Sequence, residues 1–215
     1  MVERIFNFSP GPAVLPYEVL EQASRDVVNF QGLGMGLIEV SHRSKPFIAV
    51  MDEAEALLRE LMGIPDNYKV LFLQGGASSQ FAMVPMNLLR GGDRADYINT
   101  GSWSKKAISE AKRYCSVNVA ASTEARRFTG VPAPEDLKLS ADAAYVHYTP
   151  NETIEGVEFP YIPDVGDKPL VADMSSTLLS RPIEVARYGL IYAGAQKNIG
   201  PAGLTLVIVR DDLIG

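Results

Sequence analysis

Short apolar runs rich in β-branched and aromatic residues alternate with amphipathic helical stretches along most of this chain, and that alternation limits the fold more than any other feature. Strands are expected at Tyr68–Gln74, Asp96–Asn99, Val117–Ala121, Ala143–Tyr148, Leu170–Asp173, Tyr188–Tyr192 and Leu204–Val209. Strands separated by helices pair in parallel and are covered on both faces. The fold class is therefore α/β with a mainly parallel sheet. The last strand breaks the pattern, because its connection, Ala195 to Ala202, has eight residues. A parallel crossover needs about a dozen or more, so the final strand is expected to run antiparallel.

The helices are bounded by ordinary signals. Pro16 opens one that runs to about Phe30, with Val19, Leu20, Ala23 and Val27 on one face. Ser44 caps the next, with Pro46 in its first turn; its stripe is Phe47, Val50, Met51, Ala54, Leu57, Leu58 and Leu61, and Gly63 stops it. Two further helices are expected from about Gln80 to Leu89, with Pro85 inside, and from Trp103 to Cys115. Residues 1–15 hold Phe6-Asn7-Phe8-Ser9-Pro10-Gly11-Pro12 and read as extended, which leaves 16–215 as one domain. Leu37–Val40 reads as a short extended run, and residues 122–142 are polar and Pro-interrupted. Gly32-Leu33-Gly34-Met35-Gly36 is not a dinucleotide fingerprint: no strand precedes it, and Leu37 stands where the third glycine belongs.

The totals narrow the classes. A chain of 215 residues buries about 70 % of its unfolded surface, enough for a real core. A net charge of −6 argues against non-specific binding to nucleic acid or anionic membrane, while leaving room for a local positive pocket. No stretch approaches the roughly 20 apolar residues of a membrane span. The start, with Glu3 and Arg4, lacks the apolar run of a signal peptide. One cysteine permits no internal disulfide and suggests a reducing compartment, so a cytoplasmic protein is the default. Two distant histidines and one cysteine give no metal-ligand spacing, and no metal is expected.

Several residues stand at strand ends, where open α/β sheets bind ligands. Lys197 lies among small and apolar residues in the loop before the last strand. Such surroundings strip water from an ammonium and lower its pKa, which makes an amine nucleophilic. A Schiff-base lysine and a surface lysine in a Gly-Pro turn both fit this stretch. Gly75-Gly76-Ala77-Ser78-Ser79, between strand and helix, suits an anion at a helix N-terminus or a plain turn. Asp173 ends an apolar strand, where a carboxylate needs a cation, a donor or a capping role. Trp103 follows another strand and suits core packing or stacking on an aromatic ligand. Arg43 suits a solvated turn or a fork onto a carboxylate or phosphate. His147 alternates with apolar residues and reads as structural. Together these pieces ask for a ligand with a phosphate, a ring bearing a protonatable nitrogen, and an aldehyde, which describes pyridoxal phosphate.

Longer motifs carry a family resemblance through the whole chain. They are Phe6–Ala13, Glu39-Val40-Ser41-His42-Arg43, Asn67–Phe72, Gln74-Gly75-Gly76-Ala77-Ser78, Gly101-Ser102-Trp103, Asn151-Glu152-Thr153-Ile154-Glu155-Gly156, Ser180-Arg181-Pro182 and the lysine stretch. In these the chain resembles the phosphoserine aminotransferase family of fold-type-I (class-V) pyridoxal-phosphate enzymes. The resemblance implies a three-layer large domain with pyridoxal 5'-phosphate as cofactor. It assigns Lys197 to the covalent link with the cofactor and Asp173 to its ring nitrogen. It assigns Trp103 to stacking, Ala77, Ser78 and Gln196 to the phosphate, Thr153 to the ring hydroxyl side, and Arg43 with His42 to the acidic substrate. The implied reaction moves the amino group of L-glutamate to 3-phosphohydroxypyruvate in serine biosynthesis, with a related step in pyridoxine synthesis, in a homodimer. Two departures follow from the family pattern. Pro10 has no N–H to donate where a small residue is expected. The family's C-terminal small domain, which supplies an arginine for the substrate carboxylate and an Asn-Thr pair for the neighbouring subunit's phosphate, is absent from this chain. A catalytically incomplete cofactor-binding or interaction module is therefore the alternative to a transaminase.

Overall fold

The structure, a computed structural model, describes residues 4–215. Among these residues the alternation is realised as α1 (Tyr17–Val28), α2 (Lys45–Met62), β1 (Tyr68–Gln74), α3 (Gly76–Leu88), β2 (Arg94–Asn99), α4 (Ser102–Ala111), β3 (Ser116–Ser122), β4 (Val146–Tyr148), β5 (Asn151–Glu152), β6 (Val157–Glu158), β7 (Leu170–Asp173), β8 (Leu190–Gly194) and β9 (Leu204–Arg210). Residues 4–16 form no helix or strand, and Glu3 lies outside the described residues.

Seven strands make one sheet in the order β1-β9-β8-β7-β4-β2-β3, and β5 with β6 forms a separate hairpin. The neighbours from β8 to β3 are parallel. β9 is antiparallel to β8, from Leu190↔Val209 to Gly194↔Thr205, and also to β1, from Tyr68↔Arg210 to Gln74↔Leu204. β1 and β8 therefore point the same way, and β9 alone opposes the other sheet strands. The short link after β8 cannot reach across the sheet for a parallel return, so β9 folds straight back beside β8. The expected antiparallel last strand thus lies inside the sheet rather than at its edge.

Period-two alternation sorts the strand side chains onto two faces. Leu170 and Ala172 of β7 join one core cluster and Val171 the other; Ile191 and Ala193 of β8 are likewise separated from Leu190 and Tyr192. α3 and α4 cover the second face, where Phe81, Val84, Leu88, Ala107 and Ile108 pack over Tyr97, Tyr145 and Val171. The first face is covered by the end of α2, through Leu58 and Met62, and by irregular segments carrying Phe159, Val165, Leu178 and Val185. Burying each such side chain stabilises by about 1.5–3 kcal/mol before entropy is counted.

Elsewhere the structure departs from the sequence reading. Leu37–Glu39 is a 3-10 turn instead of an extended run, because the Glu39 carboxylate accepts the Gly36 N–H at 2.8 Å and closes the turn locally. Ser44 occupies the N-cap position of α2, but its hydroxyl makes no capping bond. α4 stops at Ala111, before Cys115, and Tyr188 precedes β8 at the end of a 3-10 turn over Val185–Arg187. The apolar stripe of α1 exists but is uncovered: Val19, Leu20 and Val27 are exposed, and no residue of α1 is buried. Among the described residues no helix is long and apolar enough to cross a membrane.

Candidate active site

The C-terminal ends of β1, β2, β4, β7 and β8 open onto one edge of the sheet. There Ala77, Ser78, Trp103, Thr153, Asp173, Gln196 and Lys197 line a cavity of about 120 Å³, joined by Gly76, Thr149, Asn151, Ser175 and Ser176. Seven of the site residues expected from the sequence are thereby brought together. His42 and Arg43 are not among the lining residues; they sit on an exposed turn before α2, where the Arg43 N–H faces Ser41 Oγ at 3.3 Å.

α3 begins at Gly76 rather than near Gln80, so Ala77 and Ser78 belong to its first turn. Gly75 makes the bend possible. Its φ is +101°, and a Cβ there would lie 2.5 Å from Ser79 Oγ. No side chain caps the helix and no acidic residue stands in its first turn. The first N–H groups of a helix have no intrahelical acceptor, and the dipole places positive potential beside them. They face the cavity, which makes a ready anion site. Gln196 reaches the same place because Gly194 has no side chain: a Cβ on Gly194 would lie 2.7 Å from Gln196 Oε1 and 3.4 Å from the Ala77 nitrogen.

Strand register places Asp173 opposite Tyr192. Asp173 is 4 % exposed. Its Oδ1 accepts the Ser175 N–H at 3.1 Å and the Ser175 hydroxyl at 2.6 Å, and the same hydroxyl accepts the Gly194 N–H at 3.0 Å. The capping-type contact weighed from the sequence is therefore real, but it uses one oxygen. Oδ2 makes no hydrogen bond to protein among the described residues. Burial pushes the Asp173 carboxyl up, opposed by the Ser175 donors and by the Lys197 charge. Behind it the Tyr192 hydroxyl lies 2.8 Å from His147 Nε2, and the imidazole stacks on Tyr97 with ring centroids 4.8 Å apart. His147 is fully enclosed, and burial lowers its pKa to about 3, so it stays neutral.

Lys197 is held from the N-terminal side. Its Nζ donates to the Pro10 carbonyl at 3.1 Å, and the Ala13 N–H donates to the Gln196 carbonyl at 2.8 Å. Pro10 thus meets the lysine through its carbonyl, the one polar group its backbone has. Burial lowers the Lys197 pKa, and the Asp173 charge opposes that shift. The amine also lies 5.9 Å from the centre of the Trp103 ring. Trp103 is half-buried; it packs against the core beneath α4, as the core reading expects, and it also lines the cavity.

Two site-building residues had no role in the sequence reading. Ser175 ties β7 to β8 as described. Glu152, wholly buried, accepts the backbone N–H groups of Trp103 at 2.9 Å and Ser104 at 2.8 Å. The available signal was a carboxylate four residues past a strand of apolar character, the same kind of anomaly that marked Asp173.

Known proteins resemble the chain along its length. The family model described as "Aminotransferase class-V" matches residues 5–215. A phosphoserine aminotransferase of Hahella chejuensis is 64 % identical over 215 residues, which are 100 % of this chain and 60 % of that protein. The structure of a phosphoserine aminotransferase from Bacillus circulans subsp. alkalophilus superposes with a TM-score of 0.95 at 53 % identity, covering 99 % of this chain and 59 % of that one. A PLP-bound phosphoserine aminotransferase from Trichomonas vaginalis gives 0.92 at 47 % identity, covering 98 % and 59 %. The chain thus spans about 60 % of the length of the curated relatives it matches.

Proposed function

The chain belongs to the class-V aminotransferase family, and from that premise we propose that its Lys197 cavity binds pyridoxal phosphate as part of a phosphoserine aminotransferase. The proposed reaction transfers the amino group of L-glutamate to 3-phosphohydroxypyruvate, giving O-phosphoserine and 2-oxoglutarate for serine biosynthesis, with a related step in pyridoxine synthesis. The observation that carries the reading is the convergence of one desolvated amine, one buried carboxylate with a free oxygen, and one uncapped helix N-terminus on a single cavity.

The residues fit the group. Gly75 and Gly194 keep clear the space a Cβ would fill around the α3 N-terminus. The N–H groups of α3, the Ser78 hydroxyl and the Gln196 amide hold the phosphate. Asp173 Oδ2 would accept the ring N–H and favour the protonated form, with Ser175 holding the carboxylate through Oδ1. Trp103 stacks on the ring, and Thr153 bonds its hydroxyl side. Lys197 Nζ, whose pKa burial lowers, would take the covalent attachment and afterwards carry the proton. When bound, the cofactor supplies an aldehyde that condenses with amines and a protonated ring that accepts electron density. Arg43 and His42 are assigned to the acidic substrate on their motif alone. We place the protein in the cytoplasm as a homodimer, in line with its single cysteine and the uncovered stripe of α1.

A second reading has its own support. With Arg43 and His42 off the cavity, the 215-residue chain holds the cofactor side of the reaction and not the substrate side. The chain should bind pyridoxal phosphate saturably yet convert glutamate far more slowly than the roughly 1 s⁻¹ of ordinary enzymes. Absorbance titration with pyridoxal phosphate, then with L-glutamate, checks both statements. Absence of saturable binding defeats the cofactor assignment, and turnover at ordinary rates defeats the incompleteness of the substrate side.

A further inference from the structure

Glu152 and Glu155 close the N-terminus of α4 from a segment about 50 residues away. Each Glu152 oxygen accepts one backbone N–H, Oε2 from Trp103 and Oε1 from Ser104. Glu155 Oε1 accepts the Ser102 N–H at 3.0 Å and the Ser102 hydroxyl at 2.5 Å. The Ser104 hydroxyl faces the Gly101 N–H at 3.0 Å and the Thr100 N–H at 2.9 Å. Every early N–H of this helix is therefore taken by a side chain. Gly101 makes room for both carboxylates: a Cβ there would lie 2.6 Å from Glu152 Cδ and 2.6 Å from Glu155 Oε2.

We infer that Glu152 is a positioning residue that sets the place of Trp103 in the cavity wall. The fork grips the backbone of Trp103 itself, and a carboxylate accepting two amide donors fixes orientation as well as distance. The following residue, Thr153, lines the same cavity. One buried side chain thus couples two walls, the α4 wall with Trp103 and the β5–β6 hairpin with Thr153. An ordinary capping residue would support the helix without locating a ligand-facing ring. That Trp103 meets a cofactor ring rests on the proposed function above; its placement by Glu152 does not.

Trp103 is the single tryptophan of the chain, so tryptophan fluorescence reports the surroundings of this one ring. The experiment compares the cofactor-free chain with Glu152→Gln and Glu155→Gln. In Glu152→Gln an amide N–H₂ replaces one acceptor and faces a backbone N–H. The expected result is a folded variant with red-shifted emission and stronger acrylamide quenching, and a pyridoxal phosphate dissociation constant raised about tenfold, the equivalent of roughly 1.4 kcal/mol. Glu155→Gln, whose carboxylate accepts hydrogen bonds from Ser102 and not from Trp103, should change emission less. Unchanged emission, quenching and affinity in a folded Glu152→Gln chain would make Glu152 a plain helix cap and overturn the inference. Should Glu152→Gln fail to fold, Glu152→Asp, which keeps the charge but shortens the fork, decides: its emission and quenching should shift in the same direction, and unchanged values in the folded variant overturn the inference. Emission and quenching need no cofactor. Failure of the unaltered chain to bind pyridoxal phosphate would therefore count against the proposed function while leaving the placement of Trp103 standing.

Discussion

α3 and α4 start in the same way, each at the C-terminal end of a sheet strand and each on the same face of the sheet, yet their N-termini are treated oppositely. At α4 the protein fills the positive end with its own Glu152 and Glu155. At α3 it leaves the end uncapped and builds a cavity against it from Asp173, Gln196 and Lys197. The contrast teaches that a helix N-terminus is an anion site by default and becomes structural only when the chain brings its own anion. The site occupies the end that was left open.

The sharpest way to break this contrast is to give α3 an anion of its own. Ser78→Asp should strengthen the helix end by about 0.3–1 kcal/mol while excluding a phosphate from it. Placing like charges in contact costs several kcal/mol, so pyridoxal phosphate affinity should fall at least about 30-fold. Thermal melting together with a cofactor titration checks both signs; loss of stability with affinity retained would mean that the open end is not the anion site.

Gly75→Ala attacks the bend that exposes α3. The backbone at φ +101° and the 2.5 Å approach to Ser79 Oγ both resist a Cβ, and the expected loss is about 2 kcal/mol in urea unfolding. A change below about 0.5 kcal/mol would show that the turn accommodates a side chain.

The support behind Asp173 is tested by pH. The His147 pKa is about 3 in the folded chain against 6.5 unfolded, so between those values the unfolded chain binds the extra proton. Its contribution is fully present above pH 6.5 and is lost as pH falls toward 3, at up to about 1.4 kcal/mol per pH unit. The raised pKa values of Asp173 and Glu152 act with the opposite sign, so the comparison must be made against His147→Gln. That variant should show a shallower acid limb in unfolding free energy over this range; an identical slope would remove His147 from the account.

The smallest effect is expected at Gly194→Ala. Its Cβ meets the movable end of Gln196, so stability should change by less than about 1 kcal/mol. Cofactor affinity, which needs Gln196 in place, should drop a few-fold. An unchanged dissociation constant would take Gln196 out of the site.

The difference between α3 and α4 also marks what the sequence makes legible. Alternation and a short link suffice for the sheet, including the antiparallel β9, because these are local consequences of burial and reach. Asp173 and Lys197 stand out because each is a charge in apolar company. The start of α3 was misplaced because Ala77, Ser78 and Ser79 read as a turn, whereas Gly75 and Gly76 take the left-handed conformations, at φ +101° and +71°, and free them for the helix. Glu152 was invisible in its role because its partners lie about 50 residues away, and no local pattern announces a cap delivered from another segment. The turn over Leu37–Glu39 shows the reverse error, where one glutamate bond outweighed an extended-looking run.

The central claim is that the open α3 end, Asp173 and Lys197 form one cofactor site with Lys197 as its covalent anchor. Borohydride reduction of the chain in the presence of pyridoxal phosphate, followed by peptide mass mapping beside Lys197→Ala, tests it most directly. The account predicts one dominant pyridoxyl adduct at Lys197, absent from the variant. An adduct mainly on another lysine, or one that persists in Lys197→Ala at the same yield, would contradict it.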